Sequence, residues 1–253
     1  MFTEKIISWY IKNKRDLPWR NTKDPYFIWL SEVILQQTRV AQGLAYYHKF
    51  AKEFPTIIDL ADASEDKILK LWQGLGYYSR ARNLHSSAKF IRDNYNGKFP
   101  RNHSAIRKLK GVGEYTAAAI ASFAFDDCHA AVDGNVFRVI SRVFGIKTPI
   151  DSLQGKKEIL ELAGLLINKK CPGLYNQAVM EFGAIQCKPK NPDCEICPLN
   201  TMCYVYSKKA VNLFPVKSKT IKQRDRFFNY IILSHGDCVV LNKRKGDDIW
   251  KNL

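Results

Sequence analysis

Apolar residues recur at intervals of three and four from the N-terminus to about Leu213, and few stretches alternate between apolar and polar positions. This periodicity is typical of amphipathic helices that share a core. Asp24 and Pro25 are residue types that begin helices, and we expect the helix that follows to run through Trp29 and Leu35. We therefore predict about ten helices in two packed lobes, and an all-α fold for this region.

The pattern changes after Pro215. Residues 216–226 form a basic, linker-like stretch, and residues 227–233 are a run of β-type residues. A turn-prone Ser-His-Gly-Asp sequence at 234–237 and a second β-type run at 238–241 follow, which predicts a β-hairpin. Because two strands alone seldom hold together in water, we interpret residues from about 217 as the incomplete start of a second domain.

The composition and net charge of the chain indicate which kind of molecule it binds. With 253 residues and 46% hydrophobic content, the chain can bury one or two cores. Its 40 Lys and Arg against 24 Asp and Glu give a net charge of +16, which favours a polyanionic partner, nucleic acid first. The alternative is a basic protein whose charge only keeps it soluble or touches membrane surfaces.

The sequence also predicts where the protein works. No stretch approaches the roughly 18 apolar residues that a membrane helix needs, and the segment from Met1 to Lys5 does not open a signal peptide. We expect no membrane partner, and a cytoplasmic, nucleoid-associated location or, in a eukaryote, a nuclear one.

The chain has seven cysteines, of which four crowd together near residue 195. They follow the pattern C-x6-C-x2-C-x5-C and are Cys187, Cys194, Cys197 and Cys203. In a reducing compartment such a group is expected to bind metal rather than to form disulfides. Zinc sites commonly pair two C-x2-C knuckles, and only one is present here, so the spacing favours an iron–sulfur cluster while leaving zinc open.

A glycine-containing turn lies between two predicted helices. Gly111, Val112 and Gly113 separate a helix that ends near Ile106 from one that begins near Tyr115. The glycines permit backbone angles that turn amide groups outward, and the helix N-terminus adds partial positive charge, so the turn can hold a phosphate. We predict a helix–hairpin–helix that grips DNA without sequence preference, the alternative being an ordinary turn between helices.

Six segments, in this order, resemble the helix–hairpin–helix glycosylase superfamily and, more closely, its adenine-specific mismatch branch, the MutY family. They are LPWR (17–20), WLSEVILQQT (29–38), GLGYY (74–78), LKGVG (109–113), VDGNV (132–136) and the cysteine loop (187–203). The resemblance implies a monofunctional glycosylase that hydrolyses the N-glycosidic bond of adenine mispaired with 8-oxoguanine or guanine, in base excision repair. It also implies a [4Fe-4S] cluster on the four cysteines and double-stranded DNA with adenine mispairs as partner; we expect a monomer.

The resemblance assigns the chemistry to two carboxyls. Adenine leaves the sugar only when its ring is protonated, and the sugar left behind develops cationic character. Glu32, whose neighbours Trp29 and Val33 are apolar, would be a general acid with a raised pKa, and Asp133 would stay ionised and stabilise the sugar. Without the resemblance, Glu32 would be a structural carboxylate and Asp133 a helix N-cap.

Position 115 distinguishes two reaction types. Bifunctional relatives of the endonuclease III kind have a lysine here that attacks the sugar, whereas this sequence has Tyr115, which cannot form an imine. We therefore predict hydrolysis with little strand cleavage. The alternatives are a bifunctional endonuclease III-like glycosylase and AP lyase, a non-enzymatic iron–sulfur DNA-binding protein, and a DNA-binding protein with a zinc loop.

Further positions are carried over from the family. A base that leaves the stack must be replaced by wedging side chains, and the base must be read in a pocket. Asn135 would position the attacking water or the sugar. The wedging and DNA-contacting positions are Gln37, Tyr77, Leu35 and Thr38, and the adenine-pocket positions are Trp19, Arg20 and Gln177.

The resemblance also divides the chain. It implies a helical glycosylase region at 1–215, in which a helix–hairpin–helix lobe spans about 21–126 and residues 1–20 with 127–215 form an iron–sulfur lobe. A linker at 216–226 would precede, at 227–253, the incomplete start of an α/β C-terminal domain that recognises 8-oxoguanine. With that domain incomplete, we expect poor discrimination between 8-oxoguanine and guanine opposite adenine.

Overall fold

The computed structural model of this 253-residue chain describes residues 1–218, 225, 227, 231–241 and 245–246. Internal contacts divide the chain into two units, Met1–Ser218 and Lys219–Leu253. Among the described residues, no helix is both long enough and apolar enough to cross a bilayer.

The first unit is built from helices, as the apolar periodicity predicts. Its described α-helices are α1 (Phe2–Asn13), α2 (Pro25–Leu35), α3 (Val40–Glu53), α4 (Ile57–Asp62), α5 (Glu65–Trp72), α6 (Ser79–Tyr95), α7 (His103–Arg107), α8 (Glu114–Phe125), α9 (Gly134–Phe144), α10 (Leu153–Leu166), α11 (Pro172–Glu181) and α12 (Tyr204–Ser207). Short 3₁₀ segments occupy Pro18–Arg20, Asn200–Met202 and Val211–Leu213, and a π-helical turn occupies Phe182–Gln186. The all-α prediction is confirmed, and two helices more than the expected ten arise because α7 and α12 are single-turn elements.

Capping residues set several helix starts. Asp24 accepts a hydrogen bond from the N–H of Tyr26 at 2.9 Å and precedes Pro25, so α2 begins where the sequence predicts. Thr56 accepts from the N–H of Asp59, and Asn102 accepts from the N–H of Ala105. These side chains satisfy amide groups that a helix start leaves without a partner.

Two apolar cores lie in this unit. The first packs α2 to α8 around Trp29, Phe50 and Trp72, and it includes Leu17 and Trp19, although the sequence division assigns residues 1–20 to the other lobe. The second packs α1 against α9, α10 and α11. Helix α2 buries eight of its eleven residues, and Glu32 is one of them. The carboxyl of Glu32 therefore lies on a helix whose other buried residues are mostly apolar.

The second unit contains a short hairpin. Strands β1 (Ser234–His235) and β2 (Cys238–Val239) are antiparallel, with Ser234 opposite Val239. The N–H of Val240 donates to the carbonyl of Leu233 at 2.9 Å and extends the pairing by one position. The predicted hairpin is present, but its turn is two residues long and not four. Ser234 and His235 belong to the first strand, because Gly236, with a φ of 56°, makes the turn together with Asp237. Most of the predicted linker, and residues 228–230 of the predicted first strand, lie outside the described residues.

Candidate active site and cysteine cluster

A cleft of about 910 Å³ opens between α2, α8, α9 and α11 in the first unit. Its lining brings together residues that are far apart in the sequence. Ten predicted site residues line it: Trp19, Arg20, Glu32, Leu35, Gln37, Thr38, Tyr115, Asp133, Asn135 and Gln177. Tyr77, the hairpin glycines and the four cysteines do not line this cleft.

Glu32 lies on α2 at the wall of the cleft and is 8% exposed. The hydroxyl of Tyr115 donates to its Oε2 at 2.9 Å. Burial raises the pKa of Glu32 to about 7, although the Tyr115 hydrogen bond opposes the shift. This carboxyl can therefore hold a proton near neutral pH, as the sequence predicts for a general acid.

Tyr115 is the nearest partner of that carboxyl. Burial, and then the negative charge of Glu32, raise the pKa of Tyr115 well above its ordinary value, so its hydroxyl stays neutral and donates. Its role is a hydrogen bond to Glu32 as well as packing at the start of α8.

Asp133 lies across the same cleft as the N-cap of α9. Its Oδ1 accepts from the N–H of Val136 at 2.8 Å, and its Oδ2 accepts from Nδ2 of Asn135 at 2.7 Å. Burial raises the pKa of Asp133, while these hydrogen bonds oppose that change. Asp133 is therefore a helix N-cap that also lines the cleft, and its role toward the sugar stays a prediction.

Asn135 is held in turn by Arg138. The Arg138 guanidinium donates through Nη2 to Oδ1 of Asn135 at 2.8 Å and to the Gly183 carbonyl at 2.7 Å, and through Nε to the Cys187 carbonyl at 2.8 Å. Gly183 packs so close that an added Cβ would lie 2.6 Å from Cβ of Asn135. One arginine thus joins the first cysteine of the cluster loop to the neighbours of Asp133.

The opposite end of the cleft holds a buried carboxylate that the sequence analysis missed. Glu181 accepts from Nη2 of Arg15 at 2.6 Å and from Nη2 of Arg20 at 2.7 Å. Burial alone would raise its pKa, but the hydrogen bonds from these two arginines outweigh burial and lower the pKa of Glu181 to about 2. Glu181 therefore fixes Arg20 at the pocket wall. An acidic residue in the otherwise apolar Ala-Val-Met-Glu-Phe run was the available signal.

Trp19 and Gln177 complete that wall. Trp19 is buried and meets the Tyr47 ring edge-on, with centroids 5.1 Å apart. Gln177 accepts a hydrogen bond through Oε1 from the Tyr10 hydroxyl at 2.9 Å, which leaves its amide NH₂ as a donor group at the cleft. This end offers a ring edge and fixed polar groups, which suits a planar base.

The two predicted wedge residues lie on turns with unusual backbone angles. Gln37 follows α2 with a φ of 56°, and Tyr77 precedes α6 with a φ of 48°. Both are left-handed values that non-glycine residues seldom adopt, and such residues often lie at ligand-contacting sites. Tyr77 is 64% exposed, so its ring is available to a partner.

The glycine turn has the predicted position, between α7 and α8. Gly111 has a φ of 77°, and Gly113 is the N-cap of α8. Val112 is buried, and its N–H donates to the Leu109 carbonyl at 3.2 Å. That amide is therefore already paired within the turn, and the contact of Gly111, Val112 and Gly113 with DNA stays a prediction.

The four cysteines of the cluster line one small cavity together with apolar side chains, among them Phe182, Leu199 and Val205. Among the described residues, no group of three or more His, Cys, Asp or Glu side chains is arranged to hold a single metal ion. Nη1 of Arg142 approaches Sγ of Cys187 at 3.5 Å.

The charge state of these thiols is compatible with a metal cofactor. Burial raises the pKa of Cys194, of Cys203 and of Cys197, the last to about 11. Without iron the three thiols would be neutral, and metal coordination is what converts such groups to thiolates. The donor set therefore fits an iron–sulfur cluster.

Comparisons with known proteins match two parts of this chain. The family of HhH-GPD superfamily base excision DNA repair proteins matches residues 30–165, and the iron-sulfur binding domain of endonuclease III matches residues 187–203. The second match confirms the iron–sulfur prediction over zinc.

Individual relatives extend these matches. The chain is 38% identical over 262 residues to an adenine DNA glycosylase of Buchnera aphidicola subsp. Baizongia pistaciae, covering 100% of this chain and 72% of that protein. It is 42% identical over 216 residues to an adenine DNA glycosylase of Mus musculus, covering 82% of this chain and 42% of that protein. A solved thermostable thymine-DNA glycosylase is similar with a TM-score of 0.76 and 35% identity, covering 82% of this chain and 95% of that one.

Proposed function

This chain belongs to the HhH-GPD superfamily of base excision DNA repair proteins and, within it, to the adenine DNA glycosylases, and from that premise we propose how its residues remove adenine. It is a monofunctional glycosylase of base excision repair that binds DNA and carries an iron–sulfur cluster. Its substrate is adenine opposite 8-oxoguanine or guanine, and it acts where DNA is found, in the cytoplasm or the nucleus.

One observation carries the proposal: a carboxyl with a pKa of about 7 and a second, hydrogen-bonded carboxyl line the same cleft. Glu32 donates its proton to a ring nitrogen of the flipped adenine, which makes the base a neutral leaving group. As the glycosidic bond breaks, the sugar becomes cationic, and the ionised Asp133 stabilises it. Water then attacks the sugar cation and gives its extra proton to the Glu32 carboxylate, which restores the acid, and Asn135 orients that water or the sugar.

The absence of an amine nucleophile supports hydrolysis. The described residues that line the cleft include four arginines but no lysine. An arginine stays protonated and cannot form a Schiff base. Tyr115, at the position where bifunctional relatives have lysine, donates its hydroxyl to Glu32. The product is therefore an abasic site, with little strand cleavage.

DNA is held by the glycine turn and by the two wedge residues. Gly111 and Gly113, with the N-terminus of α8, suit a phosphate. Gln37 and Tyr77 fill the space that the flipped adenine leaves. The four thiolates would hold the iron–sulfur cluster, which would crosslink the loop from Cys187 to Cys203. Arg138 links that loop to Asn135, because it donates to the Cys187 carbonyl and to Oδ1 of Asn135.

Single-turnover excision from a duplex with adenine opposite 8-oxoguanine tests this assignment. Asp133→Asn should reduce the rate about 100- to 1,000-fold, because it removes the charge that stabilises the sugar cation. Exposed Asp93→Asn, on α6, is the matched control and should excise like the parent. An Asp133→Asn protein as active as the parent would refute the role of Asp133.

Two further measurements separate the remaining possibilities. Borohydride should trap no covalent adduct with DNA, whereas an adduct would favour the bifunctional reaction. Excision of adenine opposite guanine, measured beside the 8-oxoguanine duplex, determines which opposite base this chain prefers.

A further inference from the structure

The side chain of Arg80, the second residue of α6, is buried between the two wedge turns. Through Nη1 it donates to the carbonyls of Val33 and Ile34, at 3.2 and 2.9 Å, and to the carbonyl of Gln36. The same nitrogen donates to Oγ1 of Thr38 at 3.3 Å. These acceptors belong to the last turn of α2 and to the two residues that flank Gln37.

The other nitrogen of the guanidinium binds the second turn. Nη2 donates to the carbonyls of Leu75 at 3.3 Å and Gly76 at 3.2 Å, the two residues before Tyr77. The guanidinium carbon lies 5.7 Å from the centroid of the Tyr77 ring and 5.1 Å from that of Trp72. One planar group is thus bound to both turns that carry the predicted wedges.

The environment of Arg80 is unusual for a buried cation. All six of its hydrogen bonds in the described part of the chain go to uncharged oxygens rather than to a carboxylate. Burying a charge in this way is costly unless several acceptors compensate it. Here the carbonyls at the C-terminus of α2 carry partial negative charge, so the cation and the exposed helix end stabilise each other.

We propose that Arg80 is a positioning residue that holds Gln37 and Tyr77 in their left-handed conformations, ready to wedge into DNA as adenine leaves the stack. The inference rests on the proposed function, because it needs a duplex whose base is flipped. Within the described part of the chain, the hydrogen bonds of Arg80 reach neither the predicted adenine-pocket residues nor the two carboxyls, so it acts through the turns. Its loss should therefore impair flipping more than proton transfer.

The test combines flipping and excision in the cluster-containing full chain. A duplex with 2-aminopurine beside adenine opposite 8-oxoguanine reports unstacking as a rise in fluorescence, and single-turnover excision is measured on the same sequence. Arg80→Gln should lose most of the fluorescence rise and excise about 100-fold more slowly, as expected when wedging groups are misplaced. Arg92→Gln, on the same helix but in surface ion pairs with Asp62 and Asp93, is the matched control and should behave like the parent.

Combining variants identifies the route. If Arg80 acts through the wedges, adding Gln37→Ala and Tyr77→Ala to Arg80→Gln should cost much less than the product of the separate effects. A full fluorescence rise in Arg80→Gln would overturn the proposal, whether or not excision falls.

A second variant covers the case in which Arg80→Gln does not fold. Arg80→Lys keeps the charge but loses the planar guanidinium, so it should lose part of the fluorescence rise. A full rise in Arg80→Lys likewise overturns the proposal. A parent that flips the base but removes no adenine would instead contradict the proposed function.

Discussion

The two carboxyls of the cleft are held by different kinds of structure. Glu32 lies on a helix buried on most sides, and burial dominates its pKa, with one hydroxyl from Tyr115 as its hydrogen-bond donor. Asp133 caps a helix, and it accepts hydrogen bonds from a backbone amide and from Asn135, which Arg138 links to the cysteine loop. Burial raises the pKa of both carboxyls, and the difference lies in what opposes it: mainly one hydroxyl at Glu32, whose pKa reaches about 7, and several hydrogen bonds with the charge of Arg138 at Asp133. The duties we propose for the two carboxyls, proton donor and stabilising charge, rest on this difference in their surroundings.

Removing the proposed proton donor should reduce the excision rate the most. Glu32→Gln keeps the shape and one hydrogen-bond acceptor but carries no acidic proton, so excision should fall about 100- to 10,000-fold. Rapid-quench single-turnover kinetics measure the loss, with exposed Glu65→Gln as the control. Adenine removal at the parental rate would show that another group supplies the proton.

A change on the Asp133 side should have an intermediate effect. Arg138→Gln would release Asn135 and separate the cysteine loop from the start of α9, and we expect excision to fall about tenfold. The pH midpoint of the reaction should not move, because the surroundings of Glu32 are intact. A shifted midpoint would mean that the contacts of Arg138 on the Asp133 side also affect the pKa of Glu32. Arg92→Gln serves again as a control, and the cluster absorption must match that of the parent.

Removing the hydrogen bond between Tyr115 and Glu32 should have the smallest effect, a shift in the pKa of Glu32. Tyr115→Phe removes the hydrogen bond that opposes the raised pKa, so the proton should be held to higher pH. The midpoint of the excision profile should move upward by about one pH unit or less, since a single hydrogen bond is worth little more than that. A downward shift would contradict the role given to the Tyr115 hydroxyl.

The sequence predicted the fold and the cofactor better than the contacts that support the candidate site. Helical periodicity predicted the all-α fold, and the spacing of the four cysteines favoured the iron–sulfur cluster. Glu32 was brought into the candidate site by the family resemblance, and its catalytic role stays a prediction. Glu181 and Arg138 were missed because their partners are distant in the chain: Glu181 binds Arg15, 166 residues away, and Arg138 binds the carbonyl of Cys187, 49 residues away.

Dependence on contacts between distant residues also explains why the sequence did not predict the role of Arg80, and dependence on one backbone angle explains why it misplaced the hairpin turn. Six acceptors for one guanidinium come from two separate turns, and no local pattern marks the residues that a fold brings together. In the hairpin, the run of β-type residues predicted strand pairing, yet the position of the turn depended on the backbone angle of Gly236.

The pH dependence of single-turnover adenine excision tests the central claim most directly, because the claim is that burial keeps Glu32 protonated near neutrality. The protonated form is the active one, so the rate should be high below the pKa of about 7 and fall toward tenfold per pH unit above it. Glu32→Gln should show no such fall. A parental rate that stays constant or rises from about pH 6 to about pH 9 would contradict the account.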